Sequence, residues 1–218
     1  MEIKRYGEKE FLSADKLYIR ENEIHIWCIR WPEMTDFWKN HEYILSGQEL
    51  EQAGRFRFPE DRMRYIAGKV VVRILLKRYL DMETIDFSVN ELGKPYHKEI
   101  AGKQTVNFNI SHSGEFILEG FAVGMDIGVD VQEMAGCPDY REIAGNFYTA
   151  EEAEDVINEG PELFFQYWAA KEAYVKAIGI GLGRGMDFFS VRNGEITEKG
   201  RKGQGWHLYP VKIEGYAA

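Results

Sequence analysis

Residues 59–80 read PEDRMRYIAGKVVVRILLKRYL and contain the clearest structural pattern in the chain. Pro59 suits the first position of a helix, and Glu60 and Asp61 place negative charge where the helix dipole favours it. Apolar side chains recur at helical spacing through this segment, namely Met63, Ile66, Ala67, Val70, Val71, Ile74 and Leu75. The pattern predicts one long helix from Pro59 to about Leu80 with one buried face.

The opposite face of this helix is basic. Eight cations stand between residues 55 and 78 against only two acidic residues; they are Arg55, Arg57, Arg62, Arg64, Lys69, Arg73, Lys77 and Arg78. The whole chain is acidic, with 27 Lys and Arg against 36 Asp and Glu and a formal charge of −9. Two interpretations stay open at this point: an ordinary solvated helix face, or a docking surface for an acidic partner or phosphate.

Composition restricts the class of protein. The chain has 218 residues, of which 44% are hydrophobic and 29% charged, which is typical of one large or two small globular domains. The acidic balance disfavours general nucleic-acid binding. The N-terminus does not resemble a signal peptide and no apolar run is long enough for a membrane span, so we expect a cytoplasmic protein. Cys28 and Cys137 form no metal-binding pair, so any metal would be bound by oxygen ligands.

Further elements follow from residue patterns. We expect helices over 150–159 and from about Pro161 to Ile178, and strands that alternate with them along the chain. The expected strands are 24–30, 84–89, 106–110, 116–123, 127–131, 187–192 and 206–218. Both halves contain strands and one long helix, which predicts an α+β fold divided into residues 1–104 and 105–218.

Two carboxylates could form a reaction site. Asp130 stands in the apolar stretch 127–131, where strand alternation would separate it from its valine neighbours, and an unpaired carboxylate there would be costly to bury. Glu172 stands between Trp168 and Lys176 at spacings of four, so the three share one helix face. The simpler alternative is an ordinary Glu172–Lys176 ion pair on the helix surface.

Two short polar motifs could bind an anion. Residues 109–114 read NISHSG. Ser111 and His112 would point to opposite faces of a strand, which disfavours a nucleophile–base pair. The hydroxyls, imidazole and glycine suit a phosphate instead, with a plain polar turn as the alternative. In the segment GKP at 93–95, the proline holds the lysine extended.

In combination these segments resemble the surfactin-type 4′-phosphopantetheinyl transferases. The matching pieces occur in order as GKP (93–95), FNISHSG (108–114), GVDV (128–131) and WAAKEAYVK (168–176). The resemblance runs roughly from residue 55 to residue 191. It implies two similar lobes with a pseudo-twofold relation, each a small, mainly antiparallel sheet packed with a long helix, and a site in the cleft between them.

The resemblance also implies an activity and its components. The family transfers the 4′-phosphopantetheine arm of coenzyme A to a serine of an apo acyl or peptidyl carrier protein, releases 3′,5′-ADP and uses Mg²⁺. A single chain of this kind implies a monomer. Lobe 1–104 would dock the carrier and supply part of the coenzyme A site, and lobe 105–218 would supply the metal and the rest of that site. Carriers of this kind are acidic, which suits the basic face of the 59–80 helix.

Roles for single residues follow from the same resemblance. The implied metal ligands are Asp130, Gln132 and Glu172, and the implied catalytic residues are Asp130, Glu172 and Lys176. Coenzyme A would be bound by Arg64, Lys94, Pro95, Ser111, His112 and Lys176. Either Glu172 or Glu152 could be the general base. The chain departs from the family in having Gln132 where members often have Glu, and Glu49 and Gln52 where relatives carry lysines.

Two other functions remain open from the sequence. A metal-dependent phosphohydrolase could use the same Asp130–Glu172 pair with water as the nucleophile. A carrier-binding module without catalytic activity could keep the fold alone. Neither accounts for all four motifs together.

Overall fold

The computed structural model describes residues 1–90, 95–97, 105–181, 185–198, 201–202 and 205–218. These residues form an α+β structure with small sheets and several helices, as predicted. They fall into two compact units, Met1–Ile127 and Gly128–Ala218. Within the described ranges, no helix combines the length and the apolar character that crossing a membrane requires.

A four-stranded sheet forms the centre of the first unit. Its order is β1 (Glu2–Tyr6), β2 (Glu23–Arg30), β6 (Phe116–Val123) and β5 (Val106–Ser113). β1 is parallel to β2, and the other two pairings are antiparallel. Because β5 and β6 hydrogen-bond into the same sheet as β2, the unit ends after residue 127 and not at the predicted boundary after residue 104, which would cut this sheet.

The long helix predicted from the 59–80 pattern is present as α4 (Pro59–Leu80). Its predicted apolar stripe lies in the core, except that Ile74 is half-buried. The stripe packs with Trp27, Ile117 and Phe121 of the sheet and with Trp38. Burial of these large apolar side chains is the main favourable term in the stability of the unit.

Shorter elements complete the first unit. Helices α1 (Glu8–Ser13), α2 (Thr35–Asn40) and α3 (Gly47–Gly54) precede α4, and β3 (Phe87–Val89) pairs with β4 (Pro95–His97). The strand predicted over 84–89 therefore begins only at residue 87. A hydrogen bond of 2.9 Å joins Nε2 of His97 to the carbonyl of Val106, which ties β4 to the start of β5.

Three helices dominate the second unit. They are α5 (Tyr140–Phe147), α6 (Ala150–Glu159) and α7 (Pro161–Ile178), and the last two match the predicted helices. The short strands are β7 (Gln132–Glu133), β8 (Phe189–Ser190), β9 (Thr197–Glu198), β10 (Arg201–Lys202) and β11 (Tyr216–Ala217). They pair as β10-β9-β8 and as β11-β7.

Several predicted strands of this unit are wrong or too long. Residues 127–131 form no strand, and the strands expected over 187–192 and 206–218 shrink to β8 and β11. An apolar β-branched stretch satisfies a strand pattern even when its contacts come from a helix instead of a neighbouring strand.

The pseudo-twofold relation of the lobes and the cleft site stay predictions.

Candidate active site

Gly128 lets the chain touch the backbone of α7. A Cβ atom at this position would lie 2.0 Å from the carbonyl oxygen of Ala173 and 2.5 Å from the amide nitrogen of Ala177. Only glycine permits so close an approach. The contact positions the segment that follows, which contains Asp130, directly against α7. The glycine of the GVDV motif therefore has a physical role that the sequence pattern alone did not show.

Asp130, Glu172 and Lys176 lie together in the second unit. Nζ of Lys176 donates to Oδ1 of Asp130 at 2.5 Å and lies 4.0 Å from Oε2 of Glu172. Both carboxylates are buried, with exposures of 7% for Asp130 and 8% for Glu172. The shorter of the two contacts joins Lys176 to Asp130, which lies outside α7. The group is therefore more than an ion pair between Glu172 and Lys176 along the helix. Residues 127–131 form no strand, so the Gly128 contact, and not strand alternation, brings Asp130 to this group.

Electrostatics favour a cation at these two carboxylates. Burial raises the pKa of Glu172, the neighbouring charge of Asp130 raises that pKa further, and Lys176 opposes both effects. Two carboxylates that repel each other are stabilised in their charged form by any further positive charge placed between them.

The donor atoms fit Mg²⁺ when substrate completes the site. Mg²⁺ is usually held by one or two carboxylates together with substrate phosphates, and Asp130 and Glu172 supply two such oxygen donors. Among the described residues, no group of three or more His, Cys, Asp and Glu side chains could hold a metal unaided. The Gln132 amide donates to the carbonyl of Glu133 at 3.4 Å, and Gln132 pairs with Ala217 in the β7–β11 ladder. Gln132 stays a predicted ligand only.

Glu152, the other candidate base, is a structural residue. Its fully buried carboxylate accepts hydrogen bonds from the amides of Val191 (2.7 Å) and Thr149 (3.1 Å) and from Oγ of Ser190 (3.1 Å), and it pairs with Lys171 at 2.7 Å. Both side chains of this ion pair have no solvent exposure. A carboxylate saturated in this way cannot take a proton from a substrate. Of the two candidates, Glu172 is the one beside Asp130 and Lys176.

Lys171 is a residue whose importance the sequence analysis missed. Its ammonium donates to the carbonyls of Met186 (2.8 Å) and Phe189 (2.6 Å) as well as pairing with Glu152. Burial lowers the pKa of Lys171, and the charge of Glu152 opposes that shift. A signal was present: Trp168 and Tyr174, three residues on either side, mark this face of α7 as apolar, so a lysine there needs a buried partner.

Arg64 and His112 lie at one corner of the first unit. Nη1 of Arg64 donates to the carbonyl of Gly114 at 3.1 Å, and its Nη2 pairs with Asp61. One turn further along α4, a Cβ atom at Gly68 would lie 4.0 Å from Cδ2 of His112, so this helix passes beside the imidazole. The structure thus brings together two residues that the resemblance assigns to coenzyme A.

The other predicted coenzyme A ligands have different surroundings. Ser111 is buried in β5, whereas its neighbour His112 is exposed. Pro95 is half-buried at the start of β4. Lys94 lies outside the described residues.

Four of the eight cations between residues 55 and 78, Arg64 among them, form ion pairs within their own unit. Ion pairs join Arg55 to Glu51 (2.6 Å), Arg62 to Glu42 (3.3 Å) and Arg73 to Glu49 (2.6 Å). The last pair is mostly buried, which gives the acidic residue at position 49 a structural partner. Arg78 donates to the carbonyl of Phe11 at 2.5 Å, and burial lowers the pKa of Lys69. These contacts favour a structural role for much of the basic face of α4.

Sequence comparisons agree with the motifs. Residues 29–120 match the family model described as 4′-phosphopantetheinyl transferase, N-terminal, and residues 126–218 match that of the 4′-phosphopantetheinyl transferase superfamily. The transferase HetI of Nostoc sp. (strain PCC 7120) is 31% identical over 175 residues, which cover 77% of this chain and 73% of HetI. Sfp of Bacillus subtilis (strain 168) is 34% identical over 155 residues, covering 68% of this chain and 66% of Sfp.

A third relative, psf-1 of Bacillus pumilus, is 34% identical over 158 residues, covering 70% of this chain and 65% of psf-1. The chain therefore spans about two thirds of the length of the curated relatives that it matches. Two family models over most of the sequence, together with these identities, lead to one conclusion: this chain belongs to the 4′-phosphopantetheinyl transferase superfamily.

Proposed function

We propose that this chain transfers the 4′-phosphopantetheine arm of coenzyme A to a serine of an apo acyl or peptidyl carrier protein and releases 3′,5′-ADP. The observation that carries the proposal is the group formed by Asp130, Glu172 and Lys176 in a member of this superfamily. Two buried carboxylates and an ammonium are suited to a reaction at a pyrophosphate.

In this proposal Asp130 and Glu172 share one task, Glu172 has a second, and Lys176 has a third. Asp130 and Glu172 would hold Mg²⁺, which when bound neutralises charge on the pyrophosphate. The carrier serine oxygen forms a bond to the phosphorus that bears the pantetheine arm, and the bond from that phosphorus to the oxygen of 3′,5′-ADP breaks. Glu172 accepts the serine proton. Lys176, oriented by its hydrogen bond to Asp130, neutralises the charge that develops on the leaving phosphate.

The nucleotide portion of coenzyme A would be bound in part by the first unit. Arg64 and His112 would bind the 3′-phosphate, because a guanidinium and an imidazole near the same turn could offer several N–H donors to a single anion. Ser111, Lys94 and Pro95 complete the proposed set. The carrier as partner, a monomeric state and a cytoplasmic location belong to the same proposal.

The test uses apo-carrier protein, coenzyme A and MgCl₂, with intact-protein mass spectrometry to detect one added phosphopantetheine arm. We expect complete modification by the wild-type protein and none by the Glu172→Gln or Lys176→Met variants. Glu154→Gln is the matched control, because Glu154 is exposed on α6 and undergoes the same chemical change as Glu172→Gln.

Two results would contradict the proposal and identify the alternatives. Breakdown of coenzyme A without modification of the carrier indicates a phosphohydrolase. Binding of the carrier without any consumption of coenzyme A indicates a non-catalytic module.

A further inference from the structure

The turn between β5 and β6 forms hydrogen bonds with Arg30, the last residue of β2, and with Trp31, which follows it. The carbonyl of Gly114 accepts a hydrogen bond from Nε1 of Trp31 at 3.0 Å. The backbone amide of Trp31 donates to the carbonyl of Glu115, also at 3.0 Å. Arg30 adds two hydrogen bonds from its guanidinium to one oxygen of the Glu115 carboxylate, at 2.8 and 2.6 Å. Both residues of this turn, Gly114 and Glu115, therefore form hydrogen bonds with Arg30 or Trp31.

The same Gly114 carbonyl is the acceptor for Arg64. Nη1 of Arg64 lies 3.1 Å from that oxygen, so the indole of Trp31 and the guanidinium of Arg64 share one acceptor. With Nη2 paired to Asp61, the plane of the guanidinium is defined by two contacts. The position of the carbonyl thus determines where the remaining N–H groups of Arg64 point.

Trp31 is itself rigidly held. Its ring is buried, and its carbonyl accepts a hydrogen bond of 2.7 Å from Nε1 of Trp38 in the core. Gly114 has a left-handed φ of +51°, so the backbone of the turn is in a conformation that glycine tolerates best. A hydrogen bond from a rigid indole restricts the freedom that this glycine would otherwise give to the carbonyl.

We infer that Trp31, assisted by Arg30, is a positioning residue for Arg64 in the anion site that Arg64 forms with His112. The inference rests on the proposed function, because it takes the bound anion to be the 3′-phosphate of coenzyme A. Trp31 does not touch that phosphate; it acts through the Gly114 carbonyl. Preorganised binding groups bind more tightly because less freedom is lost when the ligand arrives.

The central variant is Trp31→Phe, which keeps an aromatic ring in the core and removes the indole N–H together with part of the ring system, a loss of volume that the Trp27→Phe control shares. Isothermal titration with adenosine 3′,5′-bisphosphate measures binding without turnover. We expect Kd to rise about three- to tenfold, the effect of one neutral hydrogen bond. In the transfer assay, KM for coenzyme A should rise by a similar factor with kcat unchanged. KM for dephospho-coenzyme A, which lacks the 3′-phosphate, should not change.

Two controls separate positioning from general destabilisation. Trp27→Phe removes a buried indole N–H of the same unit, which donates to Tyr79 at 3.0 Å; Trp27 pairs with Glu119 of β6, four residues after Glu115 of the turn. It should leave the preference for coenzyme A over dephospho-coenzyme A intact. Arg30→Gln, at an exposed position, should weaken bisphosphate binding in the same direction as Trp31→Phe but by less, and it provides a second route if Trp31→Phe does not fold.

The decisive measurement repeats Trp31→Phe in an Arg64→Ala background. If Trp31 acts through Arg64, the added loss of bisphosphate affinity disappears. An undiminished loss in that background, an equal loss for both coenzymes, or the same loss in Trp27→Phe would each overturn the inference. Absence of transfer by the wild-type protein would count against the proposed function alone, since the titration still measures the role of Trp31.

Discussion

Replacing Gly128 with alanine should move Asp130 away from Glu172 and Lys176. A Cβ atom at this position would meet the Ala173 carbonyl oxygen at 2.0 Å, whereas ordinary van der Waals contact begins at 3.4 Å. The segment that contains Asp130 must therefore move away from α7 by about 1.4 Å. The atoms in the way belong to the helix backbone, so no side-chain rotation relieves the overlap.

The displacement has two measurable consequences. Overpacking of this kind typically costs about 1–3 kcal/mol, and a clash with backbone should reach the upper end of that range. The movement also lengthens the 2.5 Å contact between Lys176 and Asp130. A misplacement of about 1 Å at a reacting group can reduce a rate about a hundredfold. We therefore expect Gly128→Ala to lose both stability and most of the proposed transfer activity.

Urea unfolding followed by circular dichroism measures the first effect, and carrier modification measures the second. Gly145→Ala is the matched control, because Gly145 lies in α5 with nothing within 4 Å of the added methyl group. That variant should be more stable by up to about 1 kcal/mol, because alanine favours a helix over glycine. A Gly128→Ala protein with wild-type stability and transfer rate would refute the packing argument.

Three further variants test other parts of the structure. Glu152→Ala should lower the free energy of unfolding by about 3–5 kcal/mol in a urea titration, because it leaves the Lys171 ammonium buried without its carboxylate; a loss below about 1 kcal/mol would contradict that role. A hydrogen bond from Lys4 and one from a backbone amide lower the pKa of Glu23 to about 2. The contribution of this carboxylate to the stability of the fold is therefore complete above the ordinary carboxylate pKa and is lost as pH falls through about 2. The difference in Tm between wild type and Glu23→Gln should therefore shrink below about pH 4.5 and vanish near pH 2, and a constant difference across this range would show that the carboxylate charge is not involved. Burial raises the pKa of Cys28 to about 11, so its alkylation by iodoacetamide at pH 8 should be slow and should accelerate about tenfold per pH unit; rapid labelling at neutral pH, assigned with Cys28→Ser, would be inconsistent with that burial.

Local patterns predicted three of the seven α-helices in the described residues, namely α4, α6 and α7, and missed the shorter α1, α2, α3 and α5. The 59–80 helix begins and ends where Pro59, its acidic first turn and its apolar spacing indicated, and the helix that bears Glu172 begins at Pro161. These signals succeed because the N-terminal proline, the charge at the dipole and the 3.6-residue period all act within the helix itself.

The stretch 127–131 does not form the strand that its pattern predicted. Its valines are buried, as the pattern required, but close contact at Gly128 with the backbone of α7 takes the place of a strand partner. The sequence also contained no sign of where residues 106–123 belong, because β6 pairs with β2 from far earlier in the chain and β5 pairs with β6. Propensity reports that a segment can be extended and buried, and it does not report which segment covers it.

The amino-acid sequence determined by itself the helices α4, α6 and α7, the α+β class and the residue types of the candidate site, because these depend on neighbours a few positions away. Only the tertiary structure decided which partner each charged group meets. Lys176 turns to Asp130, forty-six residues distant, more closely than to Glu172 on its own helix, and Glu152 is saturated by Lys171 and three other donors. A charge in a folded protein is governed by the groups within a few ångströms of it, and chain distance carries no information about those groups.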